Sequence, residues 1–160
     1  MSENGRKPSV VIIDHNQAEM EKLKTFLERE AGCDVQTFTE LAETERFFES
    51  HPVDVSISDC RVAQTNGLQL LKRLKEIQPE SSRVLLTDCI DLTLAIQAIN
   101  EVALFQYLEK PWDDNQMLLV VMSAAERSRL LRDLRQKIEQ LDSAHSTLKT
   151  AQHRLIQAFM

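Results

Sequence analysis

Residues 53–67 read VDVSISDCRVAQTNG, and the parsing of this stretch sets the architecture. Val53–Ser58 is a short run of apolar and β-branched residues that stops at the carboxylate of Asp59. The chain then crosses a loop to Gly67, after which Leu68, Leu70, Leu71, Leu74 and Ile77 recur at helical spacing. Strand, acidic loop, amphipathic helix is therefore the predicted unit. The same unit repeats on either side. Strands are expected at Val10–Ile13, Val35–Phe38, Val84–Thr87 and Phe105–Leu108. Between them lie helical stripes: Met20, Leu23, Phe26 and Leu27; Leu41, Phe47 and Phe48; and Leu92, Ala95, Ile96 and Ile99. Strand and helix alternate five times. That order predicts an α/β fold with a doubly wound five-stranded parallel sheet and a long C-terminal helix. Val10–Ile13 is wholly apolar, as expected of a strand covered on both faces.

Composition excludes several alternatives. Only 3 of 160 residues are glycine, so no glycine-rich phosphate loop or dinucleotide fingerprint is present, and a turn-rich β-sandwich is unfavoured. The net charge of −6 is unevenly spread, because residues 126–160 hold seven Lys/Arg and four Asp/Glu. The first 125 residues then hold twelve basic and twenty-one acidic, which argues against a nucleic-acid surface on that body. Cys33, Cys60 and Cys89 are widely spaced with no metal-binding pattern, and read as reduced thiols of a cytoplasmic protein. No apolar run reaches the ~18 residues of a membrane span, and MSENGRKPS is not built like a signal peptide.

Sheets of this kind bind ligands beyond the carboxyl ends of their strands. Those ends carry Asp14 and His15, then Asp59, then Thr87 and Asp88, then Glu109 and Lys110. A carboxylate can accept a phosphoryl group, a hydroxyl can bond a phosphate oxygen, and a lysine can neutralise its charge.

With VVIIDHN at the first strand, VDVSISDCRVAQTNG at the third, VLLTD at the fourth and YLEKPW at the fifth, residues 9–125 resemble the receiver domain of bacterial two-component response regulators. The resemblance implies strand order 2-1-3-4-5. It implies Asp59 as phosphoacceptor, with Thr87, Lys110 and the switch aromatic Tyr107 engaging or relaying the phosphate. It also implies Mg²⁺ held by Asp14, Asp59 and the backbone carbonyl of Arg61. Three departures bear on mechanism. His15 stands where the family has a second acid, and Mg²⁺ favours oxygen over imidazole, so Mg²⁺ should be weakened; Mn²⁺ or Zn²⁺ would be better tolerated. A solvent-facing His15 that merely removes a ligand is the equal alternative. Asp88 occupies a position the family keeps small, where it would crowd the acceptor, replace the lost acid, or turn outward as a helix cap. Ala63 replaces a loop proline, while Arg61 and Cys89 occupy positions that, with Asp88, modulate phosphoryl lifetime. His51, Asp34, Asp54, Asp113 and Asp114 read as loop, turn or helix-capping residues, and Cys60 as a core thiol.

From Asn115 to Met160 there is neither glycine nor proline. Placing Leu131, Ile138, His145, Gln152 and Phe159 at heptad position a puts Leu134, Leu141, Leu148 and Leu155 at d. Seven of these nine seam positions are apolar, which predicts a parallel two-stranded coiled coil with Lys137 at g facing Asp142 at e of the partner. Docking of this helix on another domain is the alternative. The seam is still apolar where the chain stops, which suggests a piece of a longer protein whose effector lies further on. LKTAQHRLIQ looks similar to connector helices before kinase or cyclic-nucleotide modules, and AINEVALFQYLEKPWDD to receivers joined to HD-type cyclic-di-GMP phosphodiesterases. The expected organisation is a flexible 1–8, a receiver at 9–125 and a coiled-coil linker at 126–160. The expected role is a phosphorelay receiver, itself no enzyme, taking a phosphoryl group from a histidine kinase or phosphotransfer protein. It would act as a cytoplasmic parallel homodimer with no membrane or direct nucleic-acid partner. The competing expectation is a phosphorylation-independent scaffold.

Overall fold

The computed structural model describes residues 6–62, 65–88 and 92–159. It divides into two compact units, Met1–Arg129 and Leu130–Met160. Strands β1 (Ser9–Ile13), β2 (Asp34–Phe38), β3 (Val55–Asp59), β6 (Ser82–Thr87) and β7 (Gln106–Glu109) form one sheet in the order β2-β1-β3-β6-β7. All four pairings are parallel. Helices α1 (Gln17–Ala31), α2 (Leu41–Ser50), α3 (Gly67–Ile77) and α4 (Leu92–Val102) connect them, and α5 runs from Asp114 to Ala158. A two-residue hairpin, β4 (Arg61–Val62) and β5 (Thr65–Asn66), sits between β3 and α3. The sequence gives it no warning, because pairs this short carry no periodicity.

Alternation along each strand sorts the core into two layers. Val10, Ile12, Val55, Ile57, Val84 and Leu86 face Leu23 and Leu27 of α1 and Met117, Val121 and Ala124 of α5. Val11, Ile13 and Leu85 face Phe48 of α2, Leu70, Leu71 and Leu74 of α3, and Val102 of α4. β1 and β3 are sandwiched between both layers, so their side chains are buried throughout except Ser9. The strand ends are thereby fixed in register: Asp59 lies level with Leu86, one residue before Thr87, and Thr87 pairs with Glu109.

Asp34, expected at a turn, is instead the first residue of β2 and pairs with Ser9. Asp54 stands in the bend before β3, as expected, but it is also buried and accepts from the Ser9 amide at 2.7 Å and from Arg6 at 3.1 Å. Arg6 and Pro8, within the segment expected to be flexible, are engaged, since the Pro8 carbonyl also accepts from Asp34 at 2.8 Å. The fourth strand begins at Ser82 and not at the expected Val84, so Arg83 lies inside β6, where it is buried.

In the second unit, Leu134, Ile138, Leu141, Leu148, Leu155 and Phe159 are all exposed, and Leu131 is half-buried.

Candidate functional site

The site is built at the carboxyl ends of β1, β3, β6 and β7. Asp14 ends β1, and its Oδ1 accepts the Asn16 amide at 3.1 Å, which holds the turn into α1. Asn16 caps that helix by accepting the Glu19 amide at 3.2 Å. Asp59 ends β3, and Gly67 packs against it from the start of α3. Any Cβ on Gly67 would collide with the Asp59 carbonyl oxygen and with Cys60, so glycine is required there. Its amide also bonds the Cys60 carbonyl at 3.0 Å, closing the loop over the hairpin.

Asp14 and Asp59 are both buried, and their carboxylates are bridged from two sides. Lys110, joined to Pro111 by a cis peptide, extends Nζ to Asp14 Oδ2 at 3.1 Å and to Asp59 Oδ2 at 3.5 Å. His15 Nδ1 lies 3.1 Å from Asp14 Oδ1 and 3.3 Å from Asp59 Oδ2. Of the two readings of His15, the ring therefore points into the site and not away from it, although much of it remains exposed. Thr87 is buried at the end of β6 and donates to Cys60 Sγ at 3.1 Å.

The electrostatics follow from crowding. Burial and then the Asp14 charge raise the Asp59 carboxyl above its ordinary value, while Lys110 and the Cys60 amide pull it down. Burial alone would lower the Lys110 ammonium. Hydrogen bonds to Glu19 and Asp14 and the two aspartate charges overcome it and hold Lys110 well above its usual range. Lys110 is thus a permanent cation beside Asp59. Burial also raises the Cys60 thiol, which supports the core-thiol reading.

Glu19 is the residue that sequence reading missed. Its Oε2 takes the shortest of the lysine's ion pairs, 2.8 Å. The pattern Asn16-x-x-Glu19 reads locally as a helix start, and that local role concealed the contact with Lys110 across 91 residues. Asp88 is exposed and lines an open groove of roughly 770 Å³ together with Glu19, Lys22, Lys110 and Trp112. It stands at the mouth of the site. Tyr107 is partly exposed on the edge strand β7. The Arg61 backbone belongs to the hairpin, while Ala63 and Cys89 fall outside the described residues.

Residues 10–122 match the family described as "Response regulator receiver domain". The chain belongs to this family. The receiver is similar to the hydrogenase transcriptional regulatory protein HoxA of Bradyrhizobium diazoefficiens, at 24% identity over 78% of this chain and 25% of that protein. It is 35% identical to the regulator NtrC of Escherichia coli K12 over 59% of this chain and 20% of that protein. The chain thus spans about a quarter of the length of the curated relatives it matches. Among solved structures, it resembles the receiver of an HD domain-containing protein from Pseudomonas fluorescens Pf-5, with TM-score 0.72, 31% identity and coverage of 77% and 98% of the two chains. No helix among the described residues is long and apolar enough to cross a membrane.

Receivers typically bind Mg²⁺ at an acidic site, and the fit here is partial. Asp14 and Asp59 offer carboxylate oxygens. The third side chain in reach is an imidazole, and the three donor atoms lie within 4.8 Å of one another. An all-oxygen side-chain set for Mg²⁺ is therefore not reproduced.

Proposed function

We propose that this receiver accepts a phosphoryl group on Asp59 from a histidine kinase or phosphotransfer protein. The observation that carries the reading is the convergence at one rim of a buried carboxylate, a charged lysine and a hydroxyl from three strands, Asp59, Lys110 and Thr87. In the transfer, an Asp59 oxygen attacks phosphorus while the donor's P–N bond breaks. The electron pair leaves on the donor imidazole, which takes up a proton. Lys110 already faces the attacking carboxylate, so it neutralises the incoming oxygens without rearrangement. Thr87 exchanges its Cys60 partner for a phosphate oxygen. Tyr107 and the α4–β7–α5 face then relay the change. Asp88, at the mouth, repels a second anion and with Cys89 sets how long the phosphoryl group persists.

Asp14, Asp59 and the Arg61 carbonyl would hold a divalent cation, which supplies further charge neutralisation; His15 weakens Mg²⁺ there and leaves Mn²⁺ as the alternative. Leu131, Leu134, Ile138, Leu141, Leu148 and Leu155 form the seam of a parallel homodimer that carries the signal to an effector, on the longer protein or separate from it. Acetyl phosphate or phosphoramidate, followed by intact-mass measurement, should add one phosphoryl mass to wild type and none to Asp59→Asn. Absence of the increment with either donor, in Mg²⁺ and in Mn²⁺, would overturn the reading.

His15 favours one rival. With its ring nitrogen on both aspartates, the pocket already has the contacts of a closed ion cluster. A scaffold that never accepts phosphate would show the same oligomeric state and cellular output for wild type and Asp59→Asn.

A further inference from the structure

We infer that the pocket is a mixed nitrogen–oxygen site for a first-row transition dication of the Zn²⁺/Mn²⁺ class, with His15 Nδ1 as a direct ligand beside Asp14 and Asp59, and that it discriminates against Mg²⁺. This rests on the reading above that the two aspartates hold a cation.

The distances support a ligand role for the ring. His15 Nδ1 stands 3.1 Å from Asp14 Oδ1 and 3.3 Å from Asp59 Oδ2. Neighbouring ligands around an ion with bonds of ~2.0–2.1 Å are separated by about 3.0 Å at octahedral angles and about 3.3 Å at tetrahedral angles. The imidazole therefore already sits at the spacing of a coordination polyhedron. Its exposure is suited as well. A lone pair on Nδ1 requires the proton on Nε2, and the side chain is 59% exposed, so water has access to the ring.

Charge supplies the selectivity. An acid at position 15 would give three carboxylates against Lys110, whereas histidine leaves Asp14 and Asp59 with one fewer anion to attract a dication. Mg²⁺ is held almost wholly by such attraction to hard oxygens, so it loses most. Zn²⁺, and less strongly Mn²⁺, recover part of the loss through the bond to nitrogen. The ion available to the cell would then set whether Asp59 is ready for phosphoryl transfer.

The test is a titration of the full chain with Zn²⁺, Mn²⁺ and Mg²⁺ by calorimetry. Nitrogen coupling to bound Mn²⁺ is read by pulsed electron paramagnetic resonance. Wild type should bind Zn²⁺ and Mn²⁺ at least tenfold more tightly than Mg²⁺ and show imidazole nitrogen coupling. His15→Asp should lose the coupling and gain at least tenfold in Mg²⁺ affinity. His15→Ala should lose the coupling and the Zn²⁺ preference without gaining Mg²⁺. Equal affinity of wild type for Mg²⁺ and Mn²⁺ overturns the inference. So does nitrogen coupling that survives in His15→Ala, since it would come from His51, His145 or His153. If His15→Asp binds Mg²⁺ and wild type binds no ion, His15 is not a ligand and only this inference falls. If neither binds any dication, the cation reading beneath it falls too, and the phosphoryl-mass experiment still tests Asp59 by itself.

Discussion

The two ends of the central sheet hold buried polar groups of opposite character. At the carboxyl ends, Asp14 and Asp59 are buried together and held by Lys110 and His15, all side chains that can change partner. At the amino ends, beside the Arg6–Asp54 ion pair, the polar groups are tied mainly to backbone. Ser128 donates to the Asp54 carbonyl at 2.5 Å, Ser82 to the Ala124 carbonyl at 2.8 Å, and Arg83 to the carbonyls of Val102 at 2.9 Å and Ser81 at 2.7 Å. Backbone carbonyls cannot titrate or move without unfolding an element. One end is therefore anchored, and the other keeps like charges in contact, bridged by Lys110.

The largest contrast should come from Asp59→Asn. Phosphoryl acceptance should vanish, yet stability at neutral pH should rise. The folded Asp59 carboxyl titrates above its unfolded value, so its contribution is fully present below the unfolded value and lost as pH climbs through the folded one. The gain in urea midpoint should accordingly disappear on acidification. A loss of stability in Asp59→Asn at pH 7 would break the comparison.

At the anchored end, Arg83→Ala should cost about 3 kcal/mol by urea denaturation, because it opens a cavity and strands the Val102 and Ser81 carbonyls. Burial and the Arg127 charge bring the Arg83 guanidinium down to about 10, which offsets part of that cost.

Next comes Cys33, buried near Asp54 and Glu28, with its thiol pushed up to about 11 from 9.0. A raised acid favours the fold below the unfolded value and loses that contribution as pH rises from about 9 to 11. Roughly 2–3 kcal/mol should go over that interval, and Cys33→Ala should flatten it. The smallest effect should be Ser56→Ala, at the second residue of β3. Its hydroxyl is buried with no hydrogen-bond partner among the described residues, so removing it should stabilise by about 1 kcal/mol.

What the sequence discloses follows the same division. The strands and their order are legible because burial on both faces leaves apolar runs, and Asp59, Thr87 and Lys110 stand where those runs stop. The C-terminal helix is legible from its lack of glycine and proline. The anchored end is not legible. Arg83 looks like a polar residue outside its strand because one of the two carbonyls that receive it, that of Val102, is 19 residues away. Asp54 looks like no more than a turn residue because its partners are Ser9 and Arg6, more than forty positions earlier. Glu19 is disguised by a local role that it also performs. Chemistry that depends on strand ends can be seen in one dimension, whereas polar groups satisfied across the fold cannot.

The contact between Thr87 and Cys60 makes the receiver its own reporter. The thiol owes part of its acidity to the Thr87 hydroxyl. On the function proposed above, that hydroxyl leaves for phosphate and a dianion arrives next door, so the thiolate fraction should drop. Alkylation of Cys60 should then slow when acetyl phosphate is added and stay constant in Asp59→Asn, and a mass spectrometer could follow the switch in an unlabelled, untagged chain.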